Sequence, residues 1–129
     1  MELPFGQNSK DKDIVISARN YLSNNWGVDE IAEVEVNDGD TGYEALVEKV
    51  EWVINYLIDK DIDRLFWMLY RIDVSEQKVR ATLDYTGPDN AARSLAELVI
   101  EREVQKAITR ANFKDKSFNS QIEDDEERW

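Results

Sequence analysis

Between Gly42 and Gly87 no glycine or proline interrupts the chain, and its apolar side chains recur at helical spacing. Tyr43, Leu46, Val47, Val50, Val53, Ile54, Leu57 and Ile58 form one continuous stripe, the pattern of a helix that buries a single face. Only residues 28–36 compete with that period. There Ala32, Val34 and Val36 alternate with Glu33 and Glu35, but no second clear strand exists to pair with them. A short helical turn or an extended linker is therefore expected at 28–36.

The remaining segments read as helices too. Ile14, Ala18, Tyr21, Leu22 and Trp26 lie on one helical face, and Gly27 supplies a left-handed residue to end it. The loop Asn37–Gly42 leads into the long stripe, with Asp40 or Thr41 as its cap and Glu44 in the first turn. Residues 61–72 follow without a breaker, so 41–72 is either one bent helix or two that meet at a tight corner. Ser75 can cap a helix over about 75–85, with Val74 and Val79 at the spacing of a hydrophobic staple. Gly87-Pro88 ends it and opens a last helix over 88–112, where Lys106 and Arg110 suit the negative end of the dipole. The expectation is an all-α fold: a single compact bundle of about four to five helices with short connections. Residues 1–113 form this domain. Residues 114–129, polar and aperiodic, are expected to be a mobile, disordered acidic C-terminal tail.

Composition removes several functions. The sequence has no cysteine and no histidine, so a disulfide framework, a thiolate nucleophile and any Ser-His or Cys-His catalytic pair are excluded. The absence of cysteine suits a cytoplasmic setting. The opening MELPFGQNSKDKD lacks the basic and apolar regions of a secretory signal, and no window reaches the roughly 20 apolar residues of a membrane span. The net charge is −12, of which residues 28–63 carry −10. Nucleic acid and anionic membrane surfaces are poor partners for such a chain, because both are bound through clusters of Lys and Arg.

Constellations that could carry chemistry are weak. Asn37–Glu48 has the length of a calcium loop, but Asp38 and Asp40 fall out of register and Asn37 stands where the first carboxylate belongs. Turn and cap geometry explains those residues better. Glu44, Glu48 and Glu51, and separately Glu97 and Glu101, have helical spacing, but a di-metal bundle would add histidines. They read as a solvated face. No glycine-rich phosphate cradle is present. No catalytic residue, metal site or cofactor is expected, and an enzyme is the less favoured reading.

What remains is Asp61–Asp73, DIDRLFWMLYRID. At about 100° per residue, Leu69, Tyr70, Ile62, Leu65, Phe66 and Ile72 share an arc of about 160°, the width of a core face. That assignment leaves Arg64, Trp67, Met68 and Arg71 on the back. Trp, Arg and Met are enriched at interfaces. The expected function is a non-enzymatic interaction or accessory domain, docking a protein partner or a second copy (a homodimer) through the face around Trp67. Trp52 and Tyr56, an i, i+4 pair off the main stripe, are the next candidates. The alternative is a binder of, or enzyme for, a small anionic ligand held between helices by Arg64 and Arg71.

Overall fold

The structure is a computed structural model that describes residues 11–87 and 90–115. Asp11 opens the first helix, α1 (Lys12–Trp26), its carboxylate accepting the backbone N–H groups of Asp13 and Ile14. Gly27, at φ 69°, closes it with an N–H bond to the Ser23 carbonyl at 2.8 Å. Residues 28–36 resolve into a single helical turn, α2 (Asp29–Ala32), followed by irregular chain. Two contacts hold that chain down: the Arg19 guanidinium donates to the Val34 carbonyl at 2.8 Å, and Val36 enters the core.

The long stripe forms α3 (Gly39–Lys60). Its cap is Asp38, whose carboxylate accepts the Thr41 N–H at 2.9 Å, and not Asp40 or Thr41 as expected. Those backbone hydrogen bonds hold the Asp38 pKa below the ordinary aspartate value. Gly42 is needed inside this first turn for closeness: a Cβ there would stand 2.6 Å from Val36 Cγ1. Asn37–Glu48 is thus a helix start packed on its own leader. Among the described residues no group of three or more His, Cys, Asp or Glu could hold a metal ion.

The chain breaks at Asp61 (φ −163°, ψ 77°), which ends α3 and caps α4 (Ile62–Arg71) by accepting the Arg64 N–H at 3.2 Å. Segment 41–72 is two helices. Asp73, left-handed at φ 64°, turns the chain toward α5 (Glu76–Thr86), which Ser75 caps. Val79 is buried and Val74 packs against the core, as a staple requires.

α6 (Ala91–Asp115) packs against α1, α3 and α5 and is the centre of the bundle. It runs three residues past the expected end at 112, and the expected start at 88 lies outside the described residues. Leu95, Ala96, Val99, Ile100, Val104 and Ala107 are buried along it. The domain is all-α, with six helices among the described residues. None of them is long and apolar enough to cross a membrane. Of the expected tail, 114–129, Lys114 and Asp115 continue α6, and residues from 116 onward lie outside the described residues.

Candidate interaction face

Two hydrogen bonds decide how α4 lies on the bundle. The Trp26 indole, at the end of α1, donates to the Met68 carbonyl at 3.1 Å in the buried interior. Arg71 Nε donates to the Asn25 carbonyl at 3.1 Å. With α4 held on the C-terminal end of α1, the side chains turned inward are Leu65, Met68, Leu69 and Ile72, all nearly inaccessible. These have i, i+3, i+4, i+7 spacing, a normal core stripe.

This corrects the wheel. Met68 was expected on the outer strip and is 1% exposed. Ile62, Phe66 and Tyr70 were expected in the core and are 43%, 50% and 84% exposed. The core face is rolled by about 70° from the expected one, at 100° per residue. The physical reason is that a helix apolar almost all round has no polar side to fix its orientation, so the arc containing the aromatics looked widest. A signal was available: the aliphatic residues alone, Leu65, Met68, Leu69 and Ile72, make the complete stripe, and the three aromatics lie off it.

The outer surface of α4 therefore carries Ile62, Phe66, Trp67 and Tyr70, with Asp63, Arg64 and Arg71 among them. Trp67 is 50% exposed, and the Arg71 guanidinium stacks on its ring at 5.3 Å. Of the expected strip, Trp67 and Arg71 are brought together, Arg64 is exposed on the same side, and Met68 is removed. The Trp52 and Tyr56 rings stack on α3 at 6.3 Å between centroids, and Lys49 Nζ lies 5.0 Å over Trp52. Trp52 also borders an open groove of about 530 Å³ whose other walls include Glu30, Glu33, Glu35 and Glu48.

Three of the carboxylates expected on a solvated face share one cation. Arg93 on α6 reaches Glu44 at 2.8 Å and Glu51 at 3.4 Å on α3, and Glu97 at 3.4 Å on its own helix. Those hydrogen bonds, to Glu44 first, raise the Arg93 pKa further. α6 also holds a feature absent from the sequence reading. Glu103 is completely buried and neither carboxylate oxygen has a hydrogen-bond partner. Lys106, expected to complement the negative end of the helix dipole, is instead buried and stands 3.7 Å from Glu103, nine residues before the helix ends at Asp115. Burial raises the Glu103 pKa and lowers that of Lys106. The helical spacing of Ala96, Val99, Glu103 and Ala107 puts the glutamate on the core face, which was the available clue.

Comparison with family models, curated proteins and solved structures finds no match.

Proposed function

We propose that this chain is a non-enzymatic protein–protein interaction module whose contact surface is the outer face of α4. The observation that carries the reading is the exposure of Ile62, Phe66, Trp67 and Tyr70, between 43% and 84%, on one ten-residue helix. Scattered apolar residues on a surface need no explanation, but clustered aromatics rimmed by charge are the composition of a binding face. Trp, Tyr and Arg are the residues that dominate binding energy at such faces. The Arg71 guanidinium, tied to Asn25 and stacked on Trp67, supports a pre-ordered docking surface rather than a free anion clamp. A cytoplasmic setting belongs to the same proposal and is compatible with a cysteine-free sequence.

Phe66→Glu tests the reading. The substitution places a charge on the exposed ridge, so the helical circular dichroism should be that of wild type. Association of wild type, with itself or with a protein retained through purification from its native source, should be lost in the variant. Identical association of wild type and Phe66→Glu would overturn the proposal.

A further inference from the structure

We infer that the partner of the α4 face is a second copy of this chain, docked with the two α4 helices antiparallel about Trp67. The inference rests on the interaction reading above and names its partner. Around Trp67 the exposed charges are Asp63 four residues before it, Arg64 three before and Arg71 four after. A two-fold axis at Trp67 sets Asp63 of each copy opposite Arg71 of the other, and Arg64 opposite Tyr70. Both Asp–Arg pairs form at once, because a two-fold interface is isologous. A parallel pairing would instead oppose Asp63 to Asp63 and Arg71 to Arg71, and would align the helix dipoles unfavourably.

The neighbouring charges do not spoil this complementarity. Asp73 accepts from Arg102 at 3.2 Å, Lys60 lies 3.6 Å from Asp59, and Asp61 is spent on its own helix cap. The face left over carries Asp63 and Arg64 at one end, Arg71 at the other and aromatics between them. A partner of one charge sign meets at least one like charge on it, whereas its own reversed copy sets Asp63 against Arg71 twice and leaves Arg64 against the Tyr70 ring. Arg71 is also held ready, since Asn25 fixes Nε and the Trp67 ring supports the guanidinium plane.

Size sets the strength. Large aromatics bury roughly 150–250 Å² each when fully covered, so the exposed parts of Phe66, Trp67 and Tyr70, with that of Ile62, offer about 400 Å² per copy. About 800 Å² over two copies falls below the roughly 1,200 Å² of a stable interface, and the dimer is a reversible one.

Sedimentation equilibrium on wild type, Asp63→Arg, Arg71→Asp and the double charge swap D63R/R71D tests the register. Each single substitution creates two like-charge contacts and should weaken dimerisation by roughly tenfold or more. The double swap restores both pairs with reversed sign and should return to within about threefold of wild type, the rescue that a pairwise contact requires. Single variants that dimerise as well as wild type, or a double swap as weak as the singles, overturn the antiparallel register. A wild type that stays monomeric at every concentration overturns the second copy as partner. In that event the interaction reading survives if wild type, but not Phe66→Glu, retains another protein, and it fails with this inference if neither does.

Discussion

Met68→Ala and Tyr70→Ala, two residues apart on α4, should have opposite fates. Met68 is 1% exposed beneath the Trp26 indole that binds its carbonyl. Truncating a buried methionine forfeits its transfer energy and leaves a cavity, at a cost of about 2–5 kcal/mol. Tyr70 is 84% exposed, so only about a sixth of its surface is covered. Taking about 200 Å² for the side chain, that is roughly 30 Å², or about 0.8 kcal/mol at about 25 cal/mol/Å². The better helix propensity of alanine offsets part of it, leaving a net change within about 0.5 kcal/mol. The assay is urea unfolding followed by far-UV circular dichroism, at a protein concentration low enough to keep the chain monomeric, because association stabilises the folded state. An unfolding free energy lowered by about 2–5 kcal/mol for Met68→Ala, and nearly unchanged for Tyr70→Ala, is expected. A Tyr70→Ala loss equal to that of Met68→Ala would refute the observed roll of α4 and return the aromatics to the core.

Gly42→Ala should destabilise by about 1–3 kcal/mol in the same assay, because the added Cβ overlaps Val36 and overpacking outweighs the helix preference of alanine. Lys106→Met should cost about 3–5 kcal/mol at pH 7 by leaving the Glu103 charge buried without its partner, whereas Glu103→Leu with Lys106→Met should be neutral or stabilising by about 1–4 kcal/mol. The sign of the pH dependence follows from the raised Glu103 pKa. The native state holds that proton more firmly than the unfolded chain, so the stability contributed by this group is greatest below the ordinary glutamate value of 4.5 and falls as pH rises through it. Part of the Lys106→Met loss should accordingly return on acidification toward that value, and a loss independent of pH would remove Glu103 as its cause.

Helix boundaries were readable from the chain where chemistry is local. Gly27 at its left-handed position, Ser75 at its cap and the stripe from Leu46 to Leu57 each act through neighbours a few residues away and perform the expected role, whereas Ile58 at the end of the stripe is exposed. The roll of α4 was not readable in that way, because it is fixed by Trp26 and Asn25, more than 40 residues distant. The cap of α3 fell between closely spaced candidates, and the close approach of Val36 to Gly42 accompanies the earlier start. Glu103 escaped because charged residues are seldom buried unless paired, and its pairing with Lys106 becomes evident only once α6 is surrounded. For the proposed face, the sequence reading and the structure have in common the helix α4 and an exposed Trp67. Its neighbours on the surface turned out to be Phe66 and Tyr70 and not Met68.

The most direct test of the α4 face is hydroxyl-radical footprinting across a concentration series, read residue by residue by mass spectrometry. At low concentration Phe66, Trp67 and Tyr70 should react and Met68 should not. As concentration rises, Phe66, Trp67 and Tyr70 should become protected together, while Tyr85, 92% exposed on α5, keeps its reactivity as an internal control. Undiminished reactivity of the α4 aromatics while the chain dimerises, or protection of Tyr85 in their place, would contradict the account.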